Sequence, residues 1–431
     1  MIQVLRGSWA LLLGLTLIML GNGMQGTLLG IRGGIEGFAP FEMSIVMSSY
    51  FLGFLLGSTF TPELLRNVGH VRVFAALGST ISAVLVIYAL LPDWHAWALL
   101  RVVIGFCFSG VYITSESWLN ATSTNETRGQ ALSAYMMVQM IGIIAAQAML
   151  NLADPGGFVL FIIPSVLVSL AFTPILLTAG HPPAFDKTQP LSFVRLYRAS
   201  PLGCVGMFLV GGIFAALWGM ASVFGTTAGL SVGEISIFVG CIYAGGLVFQ
   251  FPIGWASDRM DRRLLILVLA VVAGLAMVPA AIFPLPFWAL LPVAVIAGGI
   301  ANPLYSLLVA YTNDFLDNSD MAAASAGLLF INGLGAIGGP LITGWAMEVF
   351  GPPGFFLYIG VLMAMLALYA GWRMTRRPSL SSDQTGAFAP LSPTASAIAV
   401  EAALGAAQED GPQDHGPQDH GPQEPVERPA T

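Results

Sequence analysis

Apolar residues gather along this chain in long runs, and polar residues mark the gaps between them. The runs fall at 9–31, 41–62, 71–91, 95–119, 129–152, 157–179, 201–224, 231–254, 263–283, 287–312, 321–346 and 353–373. A helix rises 1.5 Å per residue, so ~20 apolar residues cross a ~30 Å hydrocarbon core. Backbone in lipid has to satisfy its own hydrogen bonds, which makes each run a helix. The pattern predicts an all-α integral membrane protein with twelve transmembrane helices. The junction Pro284-Leu285-Pro286 also admits a single kinked span. The first run follows Arg6, but it is too long for a cleaved leader and further spans succeed it, so it reads as a span.

Composition agrees with that pattern. The chain is 56% hydrophobic and only 9% charged, where a soluble chain carries about 25% charged residues. The 50 glycines suit helices that pack closely in lipid. The basic residues set the orientation. With the N-terminus in the cytoplasm, Arg6, Arg66, Arg72, Arg128, Lys187, Arg195, Arg198, Arg259, Arg262, Arg263, Arg373, Arg376 and Arg377 lie inside. Arg32 alone then lies in an outer loop, and Arg101 falls within a span. Both termini are expected in the cytoplasm. The formal charge of -7 is no sign of a nucleic-acid or other charged partner, because much of it sits in the tail at Glu409, Asp410, Asp414, Asp419, Glu424 and Glu427. Cys107, Cys204 and Cys241 all fall in apolar runs and read as small packing residues, not as a disulfide framework.

The longest interior break, His181 to Ser200, divides the spans six and six. The expected organisation is an N-terminal six-helix bundle at 1–180, an interdomain loop at 181–200, a C-terminal six-helix bundle at 201–377 and a disordered cytoplasmic tail at 378–431. An ungapped offset of 193 superimposes the two hydropathy patterns and pairs Tyr50 with Tyr243, Gly53 with Gly246, Gly105 with Gly298 and Tyr112 with Tyr305. The register of spans and loops, more than residue identity, suggests a parallel repeat. In the tail, Gly411-Pro412-Gln413-Asp414-His415 repeats at 416–420, and such low-complexity sequence buries too little apolar surface to order itself. His415 and His420 belong to that repeat and are not read as a metal site. A short helix at Ala395–Ala407 is compatible with the composition.

The gap between the eighth and ninth spans reads Gly254-Trp255-Ala256-Ser257-Asp258-Arg259-Met260-Asp261-Arg262-Arg263. It resembles the signature loop of the major facilitator superfamily, G-x-x-x-D-R-x-G-R-R, with Asp261 where a glycine is usual. The equivalent loop after span two keeps Gly69 and Arg72 but places Arg66 where the family has an acidic residue, with Glu63 one turn earlier. Arg101-Val102-Val103-Ile104-Gly105 resembles the family's R-x-x-x-G motif. Segments of spans one, four, ten and eleven, among them Ser115-Glu116-Ser117-Trp118-Leu119-Asn120 and Gly335 to Pro340, are similar to a poorly characterised bacterial branch often called YcaD-like. The likeness covers about 9–373. The proline-glycine signature that drug exporters carry in span five is absent there.

The resemblance implies a secondary active transporter of a small organic solute, working by alternating access in the bacterial cytoplasmic (inner) membrane. It implies a monomer with no cofactor and no enzymatic activity. No Walker-type phosphate loop occurs, so ATP is not the expected energy source. Spans one, four, seven and ten usually line the cavity, which nominates Asn22, Gln25, Tyr112, Trp218, Asn302 and Tyr305; Asn22 and Gln25 share a helix face at i, i+3. Protons are the expected coupling ion, through Arg101 and Glu116. A charge inside hydrocarbon is costly and marks a functional group by default, although Arg101 could snorkel and Glu116 could pair with Arg128. These two lie ~22 Å apart along the helix, so each needs its own partner. Gly69, Arg72, Gly254, Asp258, Arg259, Arg262 and Arg263 are the expected conformational latch. An alternative reading is a transport-fold sensor or scaffold acting through the tail.

Overall fold

The computed structural model describes residues 2–177 and 192–376 and, near the C-terminus, 388–389, 391–396, 399–400 and 402–403. Every regular element among the described residues is helical. They are α1 (Ile2–Ile35), α2 (Pro40–Val68), α3 (His70–Leu90), α4 (Trp94–Thr122), α5 (Asn125–Met149), α6 (Val159–Leu177), α7 (Phe193–Ala199) and α8 (Pro201–Ala215). There follow α9 (Ala221–Thr227), α10 (Val232–Ser257), α11 (Arg262–Ile282), α12 (Phe287–Asn313), α13 (Asn318–Phe350) and α14 (Gly354–Met374). A π-helical turn, Ala216–Met220, joins α8 to α9 and makes Pro201–Thr227 one continuous crossing.

Among the described residues, 11 helices are long and apolar enough to span a membrane. The remaining expected span, 157–179, coincides with α6, whose described apolar stretch Val159–Pro174 is shorter than the others. Pro284-Leu285-Pro286 breaks the chain between α11 and α12, so those are two crossings. Leu99, Phe251, Trp288 and Leu368 are each more than 70% exposed, with values of 71%, 72%, 74% and 76%, as lipid-facing residues are.

Local chemistry sets the helix ends. Gly69 is the single residue between α2 and α3, and its φ of +88° is one that a side chain would strain. That conformational role is enough to account for glycine at a position also expected in the latch. Asp93 accepts the Ala96 N–H at 2.9 Å and caps α4, and Ser231 with Glu234 caps α10. In the α1–α2 turn Glu42 accepts the Ala39 N–H at 2.8 Å.

Helices pack in two groups, which are joined by extensive α2–α13 packing and by α1–α9 and α5–α10 contacts. In one, α1 packs on α5 and α6, α2 on α4, and α3 on α4 and α6; in the other, α8 packs on α13 and α14, α10 on α12, and α11 on α12 and α14. The α2–α4 crossing is so close that a Cβ on Gly105 would sit 2.0 Å from the Tyr50 carbonyl oxygen. At the α10–α12 crossing a Cβ on Gly298 would sit 2.0 Å from the Ile242 carbonyl oxygen. The 193-residue offset carries Gly105 onto Gly298, and both glycines sit at a close helix crossing.

Contacts between the groups gather at the end that carries the α1–α2, α9–α10 and α13–α14 turns. There Thr226 donates to the Gly30 carbonyl at 3.4 Å, Ser48 to the Ile337 carbonyl at 2.5 Å, and Asn151 to Ser236 at 3.5 Å. Arg32, the lone basic residue expected on that side, pairs with Glu36 at 2.6 Å and donates to the carbonyls of Pro155 and Gly156. This sealed end contrasts with the opposite, basic end, where Arg66, Arg72, Arg128, Arg259, Arg262 and Arg263 lie.

Two expectations change. The interdomain loop 181–200 contains α7, tied down by an Arg195–Asp320 pair at 2.5 Å; residues 178–191 lie outside the described residues. The tail is not uniformly without structure. Ala389, Leu391, Ala395, Ala399, Val400 and Ala402 are buried against the helices, while 404–431, with the five-residue repeat, lies outside the described residues. Composition averages over 54 residues and so misses a short Ala/Leu/Val stretch that finds a groove.

Candidate functional site

Between the two helix groups a cavity holds ≈ 120 Å³ of water-sized space. Asn22, Gln25, Arg101 and Tyr112 line it from one group, and Trp218 and Asn302 from the other. The spacing of Asn22 and Gln25 on one face of α1 lets Gln25 donate to Asn22 at 3.2 Å, and Asn22 donates in turn to the Tyr112 hydroxyl at 2.9 Å. Arg101 enters the same chain by donating to Gln25 Oε1 at 2.7 Å. Its other amino group meets the Met47 sulfur at 3.0 Å, and the guanidinium carbon lies 4.9 Å from the Tyr50 ring centroid. Arg101 is 4% exposed, so it does not snorkel. Its Nε has no hydrogen-bond partner among the described residues.

On the far wall, Trp218 stacks on Phe214 with centroids 4.1 Å apart and meets Tyr243 edge-on. The π turn presents this indole, in keeping with the frequent use of π-bulges at functional sites. Asn302 donates to Gln250 at 3.2 Å, and Gln250 donates to Ser306 at 3.2 Å. Tyr305 is buried at 1% exposure but does not line the cavity. Glu116 does not line it either: its carboxylate accepts from the Tyr135 hydroxyl at 2.8 Å and from the Ser396 N–H at 2.9 Å. The alternative partner, Arg128, is not among these contacts.

At the basic end, Arg262 donates to Asp314 at 2.5 Å, to Ser257 at 3.1 Å and to the Ala310 carbonyl at 3.3 Å, and it lies 3.9 Å from Asp258. Arg263 grips Asp261 through two bonds of 2.9 and 3.2 Å. Asp261 also caps α11, accepting the Arg263 N–H at 2.9 Å. Partial burial pushes its carboxyl up, but the Arg263 side chain and backbone outweigh this and hold it below the usual carboxylate range. Arg259 stacks over Trp255 at 4.4 Å. Gly254 lies against the Phe388 ring, and Asp258 accepts the Phe388 N–H at 2.8 Å. In the equivalent first loop, Glu63 pairs with Arg66 at 2.7 Å and Arg72 is exposed.

A helical chain with this cavity and this loop has known counterparts. The family model described as Major Facilitator Superfamily matches residues 11–203 and 203–407. The chain belongs to the Major Facilitator Superfamily. Within the superfamily it is 28% identical over 373 residues to an uncharacterized MFS-type transporter, Ent638_1421, of Enterobacter sp. (strain 638), covering 84% of this chain and 95% of that one. It is also 28% identical over 334 residues to YfkF of Bacillus subtilis (strain 168), covering 74% and 84%, and 26% identical over 375 residues to YcaD of Escherichia fergusonii, covering 85% and 96%. Both are likewise described as uncharacterized MFS-type transporters. The fold resembles that of the nucleoside transporter NupG (D323A mutant), with TM-score 0.73, 16% identity and coverage of 85% and 99%. It also resembles an inward-facing bacterial homologue of the lysosomal transporter Spinster, with TM-score 0.68, 17% identity and coverage of 87% and 97%.

For a superfamily member, several residues were less legible than the motif loop. Tyr50 and Tyr243 line the cavity from the two groups; the 193-residue repeat pairs them, and that pairing was the signal that could have nominated them. Met47 and Gln139 carry no motif, and Asn332 lies in the span-eleven segment similar to the YcaD-like branch without being nominated for the cavity. Asp314 as the partner of Arg262 lies 52 residues away in sequence, and only the α11–α12 packing reveals it.

Proposed function

We propose that this multi-pass membrane protein is a secondary active transporter of a small organic solute, alternating between states open to either side of a bacterial inner membrane. In this reading the chain forms twelve spans in two six-helix halves, with the basic end and both termini in the cytoplasm. The observation that carries it is the cavity between the helix groups, sealed at one end by direct contacts and holding a buried arginine in a polar chain with Gln25, Asn22 and Tyr112. Such a site binds a solute from one side and needs rearrangement of the seal to release it to the other. The paired glycine crossings support the two-half layout. No catalytic group is assigned.

Protons are the proposed coupling ion, with Glu116 the carrier. It is buried at 1% exposure and holds two neutral donors, Tyr135 and Ser396, so protonation changes its contacts without stranding a cation. The test is flux of a bound solute in proteoliposomes with and without a pH gradient. Wild type should respond to the gradient and Glu116→Gln should not. An unchanged response in that variant removes Glu116 from the mechanism, and accumulation independent of any ion gradient removes secondary transport.

A further inference from the structure

The cavity contains one buried cation with no carboxylate to match it. Among the described residues no Asp or Glu lies within ion-pair distance of Arg101, whereas Arg32, Arg66, Arg195 and Arg263 each have one and Arg262 has two. Of its five N–H donors, one meets an amide oxygen, one meets a thioether, which is a weak acceptor, and Nε meets nothing. Arg101 lies seven residues from the start of α4, about 10 Å in from the sealed end, so it forms the blind floor of the cavity. The other polar wall groups are neutral amides, phenols and hydroxyls, and Phe54, Phe214, Trp218 and Tyr243 supply flat apolar faces.

We infer that the cavity takes a small organic monoanion with a flat apolar body, and that Arg101 is its counter-ion. The inference rests on the transporter reading only for movement of that anion; binding is independent of it. A planar guanidinium offers two parallel N–H bonds to a carboxylate, sulfonate or phosphate, and the aromatic walls sandwich the body. A dianion leaves one charge unmatched and binds more weakly.

The test uses the purified full chain and calorimetry with three isosteres: 2-naphthoate, neutral 2-naphthamide and cationic 2-naphthylmethylammonium. Naphthoate should bind about tenfold to a hundredfold tighter than the amide, as a charge-assisted bond predicts. Naphthalene-2-sulfonate tells whether a second monoanionic head fits the fork, and 2-naphthyl phosphate, close to a dianion at neutral pH, should bind more weakly than either. Arg101→Gln should erase the preference for the anion, and Arg101→Lys should keep it at reduced affinity. The lysine variant decides the matter if the glutamine one does not fold. Equal or tighter binding of the amide or the cation, or no binding of any anion either to wild type or to the Leu391→Asp chain described below, overturns the inference. Anion binding without flux in liposomes overturns transport and leaves the site; flux of the neutral or cationic isostere alone does the reverse.

A second, independent set of contacts lies at the other end of the cavity. Leu391 gives its N–H to Ser306 Oγ at 2.9 Å and takes the Ser306 hydroxyl on its carbonyl at 3.0 Å. Ser396 bonds Glu116 of α4, Phe388 bonds Asp258 just past the end of α10, and Ser392, Pro393 and Thr394 form part of the cavity wall. Residues 388–389 and 391–396 thus touch α4 of one helix group and α10 and α12 of the other at the basic end.

We propose that residues 388–389 and 391–396 form an autoinhibitory plug: docked, they block the cavity from the basic end and keep the two groups from closing there. The segment satisfies Ser306 and Glu116, which a solute path through this mouth would otherwise expose. The test is maleimide labelling of Ser58→Cys, a cavity-lining position, in full-length protein whose native cysteines are replaced by serine. Leu391→Asp, which places a charge in the buried docking site, should speed labelling from the basic end by about tenfold, the factor that ~1.4 kcal/mol of docking represents. Ser396→Pro removes one N–H donor and should speed it less. A synthetic peptide of residues 388–396 should slow labelling of the Leu391→Asp protein. Equal labelling with and without the tail substitutions overturns the plug, as does a peptide without effect.

Discussion

Removing the carboxylate of Asp314 tests whether the motif loop is anchored within its own helix group. Arg262 and Asp314 have side chains only 2% and 3% exposed, at 2.5 Å. Breaking a buried pair costs ~3–5 kcal/mol because it strands the remaining charge. Arg262 keeps the Ser257 hydroxyl at 3.1 Å, the Ala310 carbonyl at 3.3 Å and a distant Asp258, so we expect Asp314→Ala to cost about 3 kcal/mol, at the low end of that range. Replacing both partners, as in Arg262→Met with Asp314→Leu, removes the stranded charge and should recover about 2 kcal/mol of the loss. The assay is reversible unfolding in mixed detergent micelles, run as a double-mutant cycle. Purely additive losses in the two single variants and the double would refute the pairing, as would a neutral Asp314→Ala.

Gly105→Val and Gly298→Val each push a side chain into a carbonyl oxygen 2.0 Å from the new Cβ; both should lower the yield of folded protein on size-exclusion chromatography, and normal yield would mean the crossings are looser than described. Asp261→Gly restores the residue usual in the superfamily loop but removes the α11 cap and the partner of Arg263. Because the Asp261 carboxyl is held below its usual range, its contribution is present above the normal carboxylate pKa and fades as the pH falls through the lowered one. Wild type should therefore lose stability on acidification more steeply than Asp261→Gly, and parallel acid profiles would count against the bond.

Hydrophobic run length made the spans legible, and a charge pattern with five matched loop positions made the superfamily legible. The i, i+3 spacing was enough to put Asn22 and Gln25 on one face, where they bond. Arg101 stood out as a charge in a span, but its partners come from α1 and α2, and no local pattern encodes contacts between elements so far apart. Tyr305 is expected in the cavity because its helix lines it, and Glu116 is expected in proton coupling because it is a charge within a span. In the structure they turn toward packed neighbours, because helix position fixes a face only to within a residue or two. The tail segment was missed for a different reason: its fit depends on Ser306, Asp258 and Glu116 being exposed together at one mouth, which is a property of the assembled helices.

Alternation of the sealed end is the central claim, and its most direct measurement is a distance across that seal. Spin labels at Phe41→Cys in α2 and Val349→Cys in α13, beside the Phe41–Glu348 contact of 3.4 Å, report it by pulsed electron resonance in lipid nanodiscs. The account predicts a short distance in the resting protein and a second, longer population that grows when pH or 2-naphthoate is changed, more so in the Leu391→Asp background. A single short distance under every condition, in both backgrounds, would contradict it.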